Sequence, residues 1–123
     1  MSVKPVILVI DDDLPILTLM RNVLREFGFD PSTANTRTAA VAAAREKTPE
    51  LVLLDKNMPG TLPREVVDSL RDDANVDAPI LILSGEPLEP HEVRALGAAG
   101  AVMKPFDVME LVERIRAFIA VNR

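Results

Sequence analysis

Short apolar runs that stop abruptly at a polar residue recur along this chain, and stretches of helical periodicity separate them. Pro5-Val-Ile-Leu-Val-Ile10, Leu51-Val-Leu-Leu54 and Pro79-Ile-Leu-Ile-Leu83 are continuous runs of aliphatic residues. That pattern marks strands buried on both faces. After the first run, Ile16, Met20, Val23, Leu24 and Phe27 repeat at helical spacing, and Gly28 closes the helix. Asp13 is placed to cap it, with Pro15 tolerated in its first turn. Residues 29–34 read as a weak strand, which Pro31 assigns to an edge. Residues 38–47 are alanine-rich and helical. Residues 63–71 form a helix with Val66, Val67 and Leu70 on one face. Residues 89–96 form a short helix bounded by Pro87, Pro90 and Gly97, and residues 101–103 a short strand. Asp107 caps a last helix whose Val108, Leu111, Val112, Ile115 and Ile119 make an apolar stripe. The ten prolines fall at element ends or in first turns under this parse, an agreement independent of periodicity.

Five strands alternating with five helices predict right-handed βαβ units in an α/β fold. The expectation is a doubly wound, five-stranded parallel sheet of order 2-1-3-4-5, with the five helices on both faces. At 123 residues, with no internal repeat, linker or low-complexity tract, residues 1–123 read as a single domain. The 48% apolar fraction is that of a folded chain. The absence of cysteine excludes disulfides, thiolate metal sites and thiol nucleophiles. No apolar run is long enough to cross a bilayer, and no charged-then-apolar leader opens the sequence, so a cytoplasmic location and no membrane partner are expected. A formal charge of -5 and the lack of Tyr and Trp argue against direct nucleic-acid binding.

Each buried strand stays apolar until its end, where polar groups follow. Asp11-Asp12-Asp13 follows the first, Asp55 the third, Ser84 the fourth and Lys104 the fifth. In an open parallel sheet the ligand crevice lies beyond the carboxyl ends of the strands, where the strand order reverses. Asp11, Asp12 and Asp55 should converge there, with Ser84 and Lys104 alongside. Two unit charges at about 4 Å repel by roughly 4 kcal/mol at an effective dielectric of 20. Either one carboxylate is protonated or a cation sits among them. Hard oxygen ligands suit Mg²⁺, with Mn²⁺ as the other candidate, better than Zn²⁺. The same groups match what phosphoryl transfer needs: Asp55 as nucleophile, a metal on one oxygen, Lys104 on a second, and the Ser84 hydroxyl or the Gly85 N–H on the third.

These residues carry a resemblance. Val9-Ile-Asp-Asp-Asp13, Leu54-Asp-Lys-Asn-Met-Pro-Gly60, Leu83-Ser-Gly85, Gly97-Ala98 and Met103-Lys-Pro-Phe106 stand in the order and at the strand ends found in receiver domains of two-component response regulators. The chain resembles that family, chemotaxis-regulator-like members included, over essentially its whole length. The resemblance implies a flavodoxin-like fold and phosphorylation of Asp55 by a sensor histidine kinase or phosphotransfer protein. It implies Mg²⁺ held by Asp12, Asp55 and the main-chain carbonyl of Asn57, with Asp11 acting largely through water. Ser84 and Lys104 would contact phosphoryl oxygens, and the Lys104–Pro105 bond would be cis. It implies a conformational switch that controls a downstream protein partner or an attached output domain, and no enzymatic role beyond the domain's own phosphorylation and dephosphorylation. A degenerate receiver acting as a phosphate-independent interaction module, and an aspartate-nucleophile phosphatase, are the competing readings.

Three positions depart from the family pattern. Ala101 stands where members usually carry Tyr or Phe, Leu62-Pro63 replaces a small-residue–Gly pair, and the helix between Ser84 and Gly97 is short. Several polar residues have plainer readings. Asp13 fits a helix cap, and His91 and Arg94 fit solvent-facing positions on that short helix.

Overall fold

A computed structural model of the chain describes residues 3–122. Strands β1 (Val6–Ile10), β2 (Asp30–Ala34), β3 (Leu51–Asp55), β4 (Ile80–Ser84) and β5 (Gly100–Met103) form one parallel sheet. Its order is β2-β1-β3-β4-β5, as the alternating pattern predicted. The five intervening helices are α1 (Leu14–Glu26), α2 (Arg37–Glu46), α3 (Pro63–Asp73), α4 (Pro90–Ala95) and α5 (Val108–Asn122). Residues 1, 2 and 123, the outermost of the expected single domain, lie outside the described residues.

Strand side chains point alternately to the two faces, so each continuous apolar run feeds two cores. Ile7, Val9, Leu51, Leu53, Leu81 and Leu83 pack under α1 and α5, against Leu17, Met20, Leu24, Leu111, Val112, Ile115 and Ile119. Leu8, Ile10, Val52, Leu54, Ile80 and Ile82 pack under α2 and α3, against Ala40, Ala44, Val66, Val67 and Leu70. Full burial of each such aliphatic side chain contributes about 1.5–3 kcal/mol, which holds the strand ends in fixed register.

The edge assignment for β2 holds. The Asp30 N–H donates inward to the Pro5 carbonyl at 2.8 Å, so the next nitrogen along the strand, that of Pro31, faces away from β1 and no ladder bond is lost there. Helix α1 starts at the Asp13 cap, whose carboxylate accepts the Ile16 N–H at 3.2 Å. It ends in a reverse-turn cap. Gly28 takes φ +89, its N–H bonds to the Arg25 carbonyl, and the Phe29 N–H bonds to the Leu24 carbonyl. Most element boundaries lie within one or two residues of the sequence reading without coinciding with it, and two of the shifts have plain causes. Helix α2 begins at Arg37 because the Thr36 hydroxyl caps the Ala39 N–H. Strand β4 runs through Ser84 rather than stopping at Leu83, because Ser84 pairs with Met103. The consequence is that Asp55 and Ser84 are the last residues of their strands, held by the ladder rather than by loops.

Candidate functional site

Beyond the carboxyl ends of β1, β3 and β5, four side chains meet. Asp11 follows β1 directly, and its N–H continues the ladder to the Ala34 carbonyl at 3.1 Å. Its side chain is almost fully buried, at 1% exposure. One carboxylate oxygen accepts the Asp13 N–H at 3.0 Å and the other accepts Lys104 Nζ at 3.1 Å. Asp55 closes β3 at 7% exposure, and its Oδ1 accepts the same Lys104 Nζ at 3.2 Å. Asp12 is exposed. Oxygens of Asp11, Asp12 and Asp55 all lie within 4.8 Å of one another.

Lys104 comes from the far side of the sheet. Its N–H is anchored to the Ser84 carbonyl at 2.7 Å, and its peptide bond to Pro105 is cis, as the resemblance implies. From there the ammonium bridges the two buried acids. Ser84 stands between the ends of β3 and β5, with its hydroxyl engaged locally. Oγ donates to the Glu86 carbonyl at 2.8 Å and accepts the Glu86 N–H at 3.1 Å. To meet a ligand, that hydroxyl must exchange one of these bonds.

Burial pushes the Asp55 carboxyl above the usual carboxylate range, and the neighbouring charge of Asp11 pushes it further. The Lys104 ammonium and the Asn57 backbone N–H act in the opposite sense without cancelling that rise. Burial disfavours the Lys104 ammonium, but the hydrogen bonds and the negative charges of Asp11 and Asp55 together outweigh that and hold its pKa above the ordinary lysine value. The repulsion foreseen among the carboxylates is therefore partly relieved by an internal cation. With all three acids ionised, one ammonium against three carboxylates still leaves a net double negative charge, which a divalent ion would neutralise.

The donors fit such an ion. Asp12 is open to solvent, Asp55 has an oxygen beyond the one bound to Lys104, and every side-chain donor is a hard oxygen. An ion there would be held by Asp12, Asp55 and Asp11, with the Asn57 carbonyl as the further ligand proposed below. Sequence reasoning missed two main-chain donors, the Asp13 N–H on Asp11 and the Asn57 N–H beside Asp55. Backbone amides leave no side-chain signature. The only hint was the proximity in sequence of each donor to its acid.

Comparisons with known proteins agree with this geometry. A family model described as the response regulator receiver domain matches residues 7–116. The DNA-binding response regulator MtrA of Mycolicibacterium paratuberculosis is 41% identical over 118 residues, covering 94% of this chain and 52% of MtrA. The chain therefore spans about half the length of that relative. Among solved structures, the chemotaxis protein CheY4 of Vibrio cholerae superimposes with a TM-score of 0.86 at 28% identity, covering 94% of this chain and 99% of CheY4. The response regulator TrrA of Thermotoga maritima, in complex with Mg²⁺ and beryllium fluoride, gives a TM-score of 0.78 at 30% identity, covering 93% of this chain and 98% of TrrA.

Proposed function

We propose that this chain, which belongs to the response regulator receiver domain family and so serves in two-component phosphorelay signalling, takes its phosphoryl group on Asp55. The observation that carries this is the bridge from Lys104 to Asp11 and Asp55, with Asp12 at its open side. A carboxylate oxygen of Asp55 attacks the phosphorus of a phosphohistidine on a sensor histidine kinase or phosphotransfer protein. The O–P bond forms as the N–P bond breaks, and the imidazole leaves with a proton from solvent.

Lys104 is placed to follow the charge. Its ammonium already touches Asp55 Oδ1 and can transfer to an oxygen of the incoming phosphoryl group. Ser84 donates to another oxygen once its hydroxyl releases the Glu86 carbonyl. Asp11, Asp12, Asp55 and the Asn57 carbonyl would hold Mg²⁺, or Mn²⁺ in its place. When bound, that ion supplies positive charge to the phosphoryl oxygens and removes the repulsion among the acids. Asp11, tied to both Lys104 and the Asp13 N–H, would hold such an ion largely through water.

In this reading residues 1–123 are one receiver unit in the cytoplasm, with no nucleic-acid or membrane contact of its own. Its output is a change of shape passed to a protein partner or an attached output domain. Its chemistry is limited to gain and loss of its own phosphoryl group. No helix among the described residues is long and apolar enough to cross a membrane.

Mass spectrometry after treatment with acetyl phosphate tests the site. The wild type should gain one phosphoryl mass only with Mg²⁺ or Mn²⁺ present, and Asp55→Asn should gain none. Labelling that persists in Asp55→Asn, or that ignores the metal, would overturn the assignment.

A further inference from the structure

Helix α4 has six residues and buries none of them. A helix that short is not stable alone, so it persists only through its caps and neighbours. Its first turn is closed by Glu89 and Glu92, with the Glu92 carboxylate accepting the Glu89 N–H at 3.0 Å. Its last turn closes through Gly97 at φ +74. The Gly97 N–H bonds to the Arg94 carbonyl and the Ala98 N–H to the Val93 carbonyl. That arrangement leaves the Ala95 carbonyl, in the final helical residue, to a side chain from elsewhere.

The side chain is Arg64, the second residue of α3. Its NH1 donates to the Ala95 carbonyl at 3.2 Å, and its Nε is held by Asp68 at 3.0 Å, one turn along its own helix. The guanidinium lies so close over Gly97 that a Cβ there would meet NH1 at 3.0 Å and Val67 Cγ1 at 3.1 Å. Gly97 thus serves both the left-handed turn and the approach of Arg64.

The start of α3 is tied in turn to the Asp55 loop. Asn57 is two residues past Asp55, with its N–H beside the carboxyl. The Thr61 N–H bonds back to the Met58 carbonyl, and the Leu62 N–H is taken by the Glu65 carboxylate at 2.9 Å. Pro63 fixes the backbone as the helix begins. The 55–61 loop therefore runs straight into the first turn of α3, where Pro63 fixes φ beside Arg64.

We propose that Arg64 is the link through which the state of the Asp55 loop sets the order of α4. The proposal rests on the phosphoacceptor reading above and adds to it a named contact. Phosphorylation turns the Asp55 carboxylate into an acyl phosphate, which carries close to two negative charges in place of one and sets three more acceptor oxygens against Lys104 and the Asn57 N–H. The loop rearranges around them, the first turn of α3 moves, and the bond from Arg64 to Ala95 changes with it. Because α4 has no buried anchor, one such bond decides a large share of its stability. The Ala101 side chain packs in the same apolar cluster as Leu88, Leu96 and Ala98, and its single methyl has no rotamer with which to report on the site.

Hydrogen exchange of residues 90–96, with and without beryllium fluoride and Mg²⁺, tests the link in this chain, its Arg64→Ala variant and its Arg45→Ala variant. Arg45 makes the equivalent kind of bond, to the Asp73 carbonyl at the other end of α3. In the wild type and in Arg45→Ala, beryllium fluoride should change exchange in α4 by about fivefold, the factor equivalent to about 1 kcal/mol, one net hydrogen bond. In Arg64→Ala, α4 should exchange fast in both states, with less than a twofold difference, while residues 55–61 still respond and acetyl phosphate still labels Asp55. A full α4 response in Arg64→Ala, or no α4 response in a wild type that labels normally, would overturn the link alone. Absence of labelling and of any response at 55–61 in the wild type would instead overturn the phosphoacceptor reading beneath it.

Discussion

Helices α4 and α5 both follow the strands nearest the β5 edge of the sheet, and they are held in opposite ways. Helix α5 has fifteen residues and sinks Leu111, Val112, Ile115 and Ile119 into the core under β1, β3 and β4. Helix α4 is held by backbone turns, two glutamates, one arginine from α3 and the partly buried Leu88 and Leu96 at its ends. Apolar burial is non-directional and large, so α5 tolerates changes in the site beside it. Hydrogen bonds at a surface contribute about 1 kcal/mol each and depend on geometry, so α4 responds to small movements. The same sheet edge carries a fixed wall and a yielding one, with Lys104 between them.

The largest test of that contrast is Ile115→Ala. The side chain is fully buried, so the variant should lose about 2–5 kcal/mol of unfolding free energy, read from urea titration. A loss under about 1 kcal/mol would mean that α5 is not the fixed wall.

Lys104→Ala comes next. It removes the cation that serves two buried acids. Breaking a fully buried pair costs about 3–5 kcal/mol, but the Lys104 side chain keeps 24% of its surface in water, so about 1–2 kcal/mol is expected without metal. Added Mg²⁺ should recover part of the loss, because an ion bound only by the folded state stabilises it by mass action. Equal loss with and without Mg²⁺ would separate the acid cluster from metal binding.

The fixed wall was legible in the sequence; of the yielding one, the short proline-bounded helix was legible and its tie to α3 was not. The stripe Val108, Leu111, Val112, Ile115 and Ile119 announces its own burial, since period and hydrophobicity are written in the residues themselves. The strand-end polar groups Asp11, Asp12, Asp55, Ser84 and Lys104 were legible for the same reason, each interrupting an apolar run where the sheet opens to solvent. Of these, Asp11, Asp12, Asp55 and Lys104 meet as foreseen, while the Ser84 hydroxyl is occupied by Glu86. What stayed hidden depends on backbone groups and distant partners. Arg64 reads as one more charge on a polar helix face, and only the folded chain brings its guanidinium to the Ala95 carbonyl. The one-residue shift at β4 arose similarly, because Ser84 belongs to the strand through its pairing with Met103 rather than through its own side chain.

A smaller effect comes from the charge of Asp55. Burial, then Asp11, raise its pKa in the folded state, so the folded protein holds that proton more tightly than the unfolded chain. Its contribution favours folding below the unfolded carboxylate value, about 3.9, and is lost as pH rises through the folded value. Asp55→Asn carries no such titration. Measured without metal, its stability relative to the wild type should therefore rise with pH across that window and then level off. A difference that falls with rising pH would mean that Lys104 and the Asn57 N–H outweigh burial at this site.

The smallest effect on global stability, and the sharpest on the contrast itself, is Val93→Ala. Val93 is only half-buried, so truncation should cost about 0.5–1 kcal/mol or less in urea. The change should surface instead as faster hydrogen exchange confined to α4, because opening a segment without a buried anchor does not require opening the core. If Val93→Ala and Ile115→Ala shift the urea midpoint equally, α4 unfolds only with the whole domain. It then has no independent equilibrium for the Asp55 loop to bias. A local effect without a global one keeps α4 at the low-stability end of the fold, where a single hydrogen bond from Arg64 is enough to tip it.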